Sequence, residues 1–467
     1  MLANNDIPFT PLVDIAAAIK SGAHSSLAVT ETMLARIAAV EPGLHSYLAV
    51  TADEALAQAR TADAEIAAGR YRGPLHGVPI AIKDLFYTAG VPATFGSMAY
   101  KDFRSNYTAT IIERLISAGA VILGRLALHE GALAEHHPGF GEAPTHPYVK
   151  GYWPGGSSSG SGVATAAGLC FGSLGSDTGG SIRFPSGANG LTGLKVTWGR
   201  VSRHGVFTLA NSLDTVGPMC RSAADAAAMF DVIAGHDIND PTSLTAAVPQ
   251  ALAGLEGVFG ARDVKIGVDW DYVSVDTDPE IVAAIKLALE TFESLGAQIV
   301  PIRMPSVEEA ARLQFVMMEV ECANYHKELF KADPAGFGKL RETIEHGFAY
   351  DPTVVASAYI EKDRFRGELA KLFDGVDVIA APVMPKIGIL YSEMDELFKS
   401  IPKFGRYTGP YNMSGSPTVT FPTGMSSVGL PLAMQFIGRH LSEALLLKAA
   451  HAFQQATAWH QQRPTLQ

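Results

Sequence analysis

Two loops rich in glycine and serine are the places where this chain could do chemistry. One is Gly155-Gly156-Ser157-Ser158-Ser159-Gly160-Ser161-Gly162; the other is Ser176-Asp177-Thr178-Gly179-Gly180-Ser181-Ile182-Arg183. A single Gly/Ser loop is usually a tight turn with serines capping a helix, but two of them, with 24 residues from Ser157 to Ser181, ask for a further cause. A phosphate cradle is excluded, because no lysine follows either loop in the register such a cradle requires. Dinucleotide binding fits poorly, since Gly160-Ser161-Gly162 leads to Thr165 and Tyr152-Trp153-Pro154 makes a weak preceding strand. Nucleophilic serine chemistry fits better: it needs a base in reach, backbone N–H groups for an oxyanion, and little bulk around the hydroxyl. Ser158 sits in a Gly-x-Ser-x-Gly elbow pattern, yet an elbow follows a buried strand and Lys150 to Pro154 does not read as one. Ser181 follows Thr178-Gly179-Gly180, whose unhindered amides could converge on a carbonyl oxygen.

With these loops the chain resembles the amidase signature family. The resemblance is carried in order by Gly77-x-Pro79-x-x-Ile82-Lys83-Asp84, Gly155-Gly156-Ser157-Ser158-x-Gly160, Asp177-Thr178-Gly179-Gly180-Ser181-Ile182-Arg183 and Gly193-Leu194-Lys195. Gly199-Arg200-Val201-Ser202, Leu213-Asp214-x-x-Gly217-Pro218 and Gly429-Leu430-Pro431 extend it over most of the chain. It implies Ser181 as nucleophile, Ser157 as a bridging serine after a cis peptide bond, and Lys83 as a neutral general base. It further implies the N–H groups of Thr178, Gly179, Gly180 and Ser181 as the oxyanion hole, with Ser158, Asp177 and Arg183 in support. Arg183 has two open readings, a structural ion pair, which is favoured, and a clamp for a substrate carboxylate. No cofactor and no metal is expected. A lysine with an ordinary pKa near 10.4 cannot accept a proton at neutral pH, but burial at the end of the apolar run Val78 to Ile82 would lower it.

A second cluster competes for attention: His129, Glu130, Glu135, His136, His137, Glu142 and His146. It lacks a His-Glu-x-x-His pattern, so a polar loop near the site mouth is the better reading than a metal centre. His129 and Glu130, with Tyr152 and Trp153, are the candidates for contact with substrate. Phe86, Tyr87, Phe95 and Phe207 add to an apolar surround that would suit alkyl or aryl amides, or related carbamates, ureas and hydrazides.

The elements that must position these groups read as α/β. Ser26 is expected to cap a helix through about Val40, and Thr51-x-x-Glu54 to open another towards Gly69. Strands are expected at Val78 to Ile82, Ala120 to Leu123, Phe171 to Gly175, Val264 to Val268, Gln298 to Ile302, Val376 to Ala381 and Leu432 to Ile437. Helices fall near Thr110 to Ser117, Gly162 to Gly168, Ser222 to Ala234, Pro279 to Leu295 and Ser442 to Ala458. Residues 306 to 373 are mostly helical, with Met317-Met318 as core filler. No linker divides the 467 residues, so one large domain is expected. By resemblance it is a mixed central β-sheet covered by helices on both faces, with its core in about 70–235 and 405–467 and a pocket-shaping segment in about 240–400.

Composition sets the outer limits. With 36 Lys+Arg against 47 Asp+Glu the formal charge is −11, which opposes nucleic-acid binding. Hydrophobic residues at 47% and charged ones at 18% supply a sizeable core and argue against disorder. Cys170, Cys220 and Cys322 are too far apart for a disulfide framework or zinc ribbon. Met1 to Thr10 lacks a secretory pattern, so the cytoplasm is the expected compartment. Gly151 to Ser176 carries no charge, but its Gly and Ser content fits buried loop, helix and strand rather than a membrane span. The partner is expected to be a small amide-type molecule, with no nucleic acid and no membrane; relatives are often homodimers. An alternative function, by the same resemblance, is the A-type subunit of a glutamine-dependent aminoacyl-tRNA amidotransferase. Two features stand against it. No acidic residue precedes Thr408-Gly409-Pro410-Tyr411-Asn412, and Ala127-Leu128-His129-Glu130-Gly131 departs from the Asn-Met-Asp-Glu-Phe form of those subunits. A catalytically silent scaffold is disfavoured by the joint presence of Lys83, Ser157 and Ser181.

Overall fold

Strand β2, Pro79–Lys83, is buried along its whole length, and this explains why it reads as an unbroken apolar run: both faces of the sheet around it are covered. In the computed structural model, which describes residues 6–255, 264–394, 396 and 400–466, β2 lies between parallel neighbours. These are β3 (Val121–Leu126) and β4 (Gly172–Asp177). The remaining strands are β1 (Tyr47–Val50), β5 (Thr192–Lys195), β6 (Thr215–Cys220), β7 (Lys265–Val268), β8 (Gln298–Pro301), β9 (Val378–Pro382), β10 (Thr418–Met425) and β11 (Pro431–Gly438). Together they form one 11-stranded sheet in the order β1-β3-β2-β4-β6-β5-β10-β11-β9-β7-β8. The sheet is mixed: β4 through β9 are joined by antiparallel ladders, while β7 pairs in parallel with both β8 and β9. The C-terminal hairpin β10–β11 therefore enters the middle of the sheet, with β10 against β5, instead of extending an edge.

Several expectations shift in position. The helix expected to be capped by Ser26 is capped by Ser25, whose side chain accepts from the Ala28 N–H. Ser26 is instead buried and donates to the Gly77 carbonyl at 2.7 Å. Thr51 precedes helix Ala52–Ala67 without capping it, because its hydroxyl is turned to the Ile122 carbonyl. The helix expected near Gly162 starts at Ser159 and ends at Ala166. Strands β1, β5, β6 and β10 were not expected; β5 and β6 are rich in Gly, Pro and Thr, which weakens the apolar pattern that marks a strand. Ser222 does cap helix Ala223–Ile233 through the Asp225 N–H. The region 306–373 holds three helices, Glu308–Ala332, Leu340–Ala349 and Pro352–Leu372. Among the described residues no helix is long and apolar enough to cross a membrane.

Candidate active site

Lys83 is the last residue of β2 and is fully buried. Its Nζ lies 2.8 Å from Ser157 Oγ, 3.0 Å from Ser158 Oγ and 2.9 Å from Ser176 Oγ. Burial lowers its pKa to about 7, against the opposing pull of the Asp177 and Asp214 charges. Three elements converge here because β2 and β4 run parallel side by side, so Lys83 and Ser176 emerge at the same end of the sheet. The third element is the loop before helix Ser159–Ala166, which lays Ser157 and Ser158 across that end. The Gly156–Ser157 peptide bond is cis. The backbone around it is tightly held: the His129 N–H donates to the Ser157 carbonyl at 3.1 Å, and a Cβ on Gly156 would stand 2.4 Å from the His129 ring.

The loop carrying Ser181 is fixed from below by Asp177, at the end of β4. Arg183 donates to both Asp177 oxygens, from Nε at 3.0 Å and Nη2 at 2.8 Å, a bidentate pair with both partners fully buried. Burial alone would raise the Asp177 pKa, but the Arg183 charge and hydrogen bonds prevail and hold the carboxyl well below the usual carboxylate range. Asn412 Nδ2 adds a bond to Asp177 at 2.8 Å, and Arg183 Nη1 donates to the Thr408 carbonyl. The Gly180 N–H donates to Asp177 Oδ1 at 2.9 Å. This corrects the expectation that all four amides of the loop hold an oxyanion: the Gly180 amide is turned down into the loop. Gly180 is required at its position, since its φ is +135° and a Cβ would meet the Phe184 ring at 2.4 Å.

The carbonyls of the same loop are held from above. Gln314 Nε2, on helix Glu308–Ala332, donates to the Thr178 carbonyl at 3.0 Å, and Thr408 Oγ1 donates to the Gly179 carbonyl at 2.6 Å. The Thr178 hydroxyl donates to Asp214 Oδ1 at 2.6 Å. Burial raises the Asp214 pKa to about 6, with the Thr178 bond, Arg203 and the Ala210 N–H opposing.

Ser157 and Ser181 open together onto a cavity of about 690 Å³, its mouth included. Its wall is apolar, with Leu133, Trp153, Phe184, Phe315, Met318 and Phe404 among the lining residues, and among the described residues no carboxylate, lysine or arginine lines it. His129 also faces it, and burial followed by the charges of His136 and Lys83 lowers its pKa to about 3, so the ring is neutral. Its Nε2 accepts from the Trp153 indole N–H at 3.3 Å.

The structure thus gathers Lys83, Ser157, Ser158, Thr178, Gly179, Ser181, His129 and Trp153 at one place and sets Asp177 and Arg183 beneath it. Two expected substrate contacts fall elsewhere. Glu130 is buried and spends its carboxylate on Ser97 Oγ and the N–H groups of Gly338 and Leu340. Tyr152 is pinned by a β-bridge to Leu390. Phe86, Phe95 and Phe207 are core residues, Phe95 stacking on Phe207 at 3.9 Å between centroids. The elbow reading of Ser158 fails because its hydroxyl is fully buried, bonded to Lys83 and donating to the Ser176 carbonyl. Arg183 lies beneath the loop, away from the cavity wall. The remaining members of the histidine-rich stretch disperse: His146 binds the Ala188 carbonyl, and His45 pairs with Glu142. Among the described residues no three His, Cys, Asp or Glu side chains form a group able to hold a metal.

Sequence reasoning missed Ser176, although it directly precedes Asp177 in the second loop and its strand neighbours β2. It also missed Gln314, Phe315 and Met318, which no local pattern marks. Met317 and Met318 both lie in the buried core as expected, and Met318 also lines the cavity.

Comparison with known proteins agrees with this geometry. The family model "Amidase" matches residues 28–447. AmiD of Mycobacterium tuberculosis, an amidase by name, is 41% identical over 460 residues, covering 97% of this chain and 95% of that protein. A glutamyl-tRNA(Gln) amidotransferase subunit of Geobacter metallireducens is 38% identical over 469 residues, covering 94% of this chain and 95% of its own. Among solved structures, the native peptide amidase from Stenotrophomonas maltophilia superposes with a TM-score of 0.83 at 29% identity, over 96% of this chain and 97% of that one. From fold, site and relatives alike, this chain belongs to the amidase signature family, enzymes that hydrolyse C–N bonds.

Proposed function

We propose that this amidase cleaves neutral alkyl or aryl amides, and carbonyl compounds of the same build, through an acyl-enzyme on Ser181, with Ser157 and Lys83 moving the proton. The observation that carries the reading is the set of three hydroxyls around Lys83 Nζ. A neutral amine has two N–H donors and one lone pair. Ser158 already donates to the Ser176 carbonyl, so it is an acceptor for Lys83. If Ser158 and Ser176 take the two N–H groups, the lone pair is left for the Ser157 hydroxyl proton. Ser157 then accepts the Ser181 proton as Ser181 Oγ bonds to the substrate carbonyl carbon. The carbonyl π-electrons move onto oxygen, where the N–H groups of Thr178, Gly179 and Ser181 receive them, each such donor being worth about 3 kcal/mol in comparable sites.

Collapse of the tetrahedral species breaks the C–N bond, and the proton returns from Lys83 through Ser157 to the leaving nitrogen. Water then bonds to the acyl carbon as its proton passes through Ser157 to Lys83, and collapse breaks the bond to Ser181 Oγ, which regains a hydrogen from Lys83 through Ser157 as the acid departs. Among the described residues the cavity wall is apolar and carries no charged side chain, which supports neutral, hydrophobic substrates over charged ones, because an unpaired ion would be desolvated against it. Residues 240–400 supply much of that wall through Ala311, Gln314, Phe315, Met318 and Met394, which supports a pocket-shaping role for the segment set against a core in 70–235 and 405–467.

The test is labelling with a fluorophosphonate followed by peptide mass spectrometry. The adduct is expected on Ser181 and absent from Ser181→Ala. An adduct on Ser158, or none on any serine, would overturn the assignment.

A further inference from the structure

Two cavities meet at one side chain. The reactive cavity has Phe184, Met394 and Phe404 in its wall. A second cavity, about 480 Å³ with its mouth, is lined by Val383, Ile389, Leu430, Leu432 and Ala433. The mechanism makes no use of it. Trp153, Phe184, Val383, Ile389, Met394 and Phe404 pack as one apolar cluster, so this cluster is the partition between the two spaces. Of its six members, Trp153 alone lines both cavities.

The indole is held rigidly in that partition. Its backbone N–H donates to the Ile389 carbonyl at 2.7 Å, its ring N–H donates to His129 Nε2, and its ring lies 6.1 Å from Phe184 and 6.0 Å from Phe404 between centroids. The second cavity is lined mainly by aliphatic carbon. His146 faces it as a neutral ring, its pKa lowered by burial to about 4, and its charged lining residue, Lys386, is exposed and stands at the rim.

On the reading that Ser181 is the nucleophile, we infer that Trp153 sets the chain length of the substrate. A linear apolar chain extending from the reacting carbonyl or its nitrogen meets the indole and stops there. The space behind is an apolar subsite that takes the far end of such a chain only when the indole is removed. The native enzyme is therefore selective for short or compact neutral groups, and the partition is its ruler.

The experiment compares kcat/KM for two linear series, the primary amides from butanamide to dodecanamide and the N-alkyl acetamides over the same span. In the native protein, kcat/KM is expected to rise with the first methylenes and then fall once the chain reaches the indole, in at least one series. Each buried methylene is worth about four-fold in kcat/KM. Trp153→Ala and Trp153→Leu are accordingly expected to raise the long-to-short ratio in that series by about ten-fold or more. Adding Ala433→Leu, which refills the second cavity, is expected to restore the native ratio.

Native protein that turns over dodecanamide and dodecyl acetamide as well as their short counterparts overturns the inference without any variant. So does a ratio within about two-fold of native in a Trp153 variant that a fluorophosphonate still labels. Native protein that neither hydrolyses any amide nor takes the label instead refutes the assignment of Ser181 itself.

Discussion

A single proton on Lys83 decides whether the proposed relay runs. The group must be neutral to accept the Ser157 proton, and its pKa is lowered to about 7 by burial. Deprotonation proceeds as pH rises, so kcat/KM is expected to climb through about pH 7 and level off above it, with a pH–rate profile as the check. Lys83→Arg is expected to be inactive across the whole range, because a guanidinium stays protonated and cannot supply the lone pair. An activity flat through acid and neutral pH, or surviving in Lys83→Arg, would remove Lys83 from the mechanism. The nearby Lys195 shows that a lowered pKa is not by itself a catalytic mark. Burial and the Arg183 charge bring it to about 7 as well, yet its Nζ donates to the Val196 carbonyl, and it does not line the cavity.

At the scale of elements, the helix Glu308–Ala332 does what the signature loops cannot do for themselves. Gln314 ties down the Thr178 carbonyl, and Ala311, Phe315 and Met318 face the cavity from the same helix. Gln314→Ala leaves that buried carbonyl without a partner, at a cost of about 1–3 kcal/mol. The expected result is a fall in kcat of about ten-fold or more with Ser181 still labelled, read by steady-state kinetics beside the labelling assay.

The contrast between this helix and β2 also explains what could be read from sequence. Lys83, Ser157 and Ser181 lie in short motifs whose residue types are dictated by local chemistry, so they were visible. The apolar runs of β2 and β9 and the amphipathic helix Thr110–Ser117 were visible for the same reason. Gln314 and Met318 act across the fold from a helix whose apolar residues read as ordinary core. Glu130 looked like a site residue because its type suits one, but its partners, the N–H groups of Gly338 and Leu340, lie some 210 residues onward. Strand β10 escaped notice because Thr418, Thr420, Pro422 and Thr423 interrupt its apolar pattern, although it is buried over nearly its whole length.

For the whole molecule, the question is whether it works alone. Relatives include components of amidotransferases, but among the described residues the cavity wall holds no carboxylate that could receive the ammonium group of glutamine. The purified chain is therefore expected to hydrolyse a simple amide with no glutamine, no tRNA and no partner protein present. Assaying ammonia release from such an amide checks this, and a strict requirement for a partner would point back to transamidation.

The order of strands carries one more consequence, about the moment at which the enzyme comes into being. Asn412 and Thr408 brace the loop of Ser181, and β10 seats beside β5, so the catalytic end of the sheet closes only when residues beyond 400 arrive. A ribosome translating this chain has made all three proposed catalytic residues more than 200 residues before those braces emerge. The nascent polypeptide thus carries its proposed nucleophile and base in an unfinished state. On the proposed roles, synthesis of the stretch beyond residue 400 is the step that arms the enzyme, long after its reactive groups have been made.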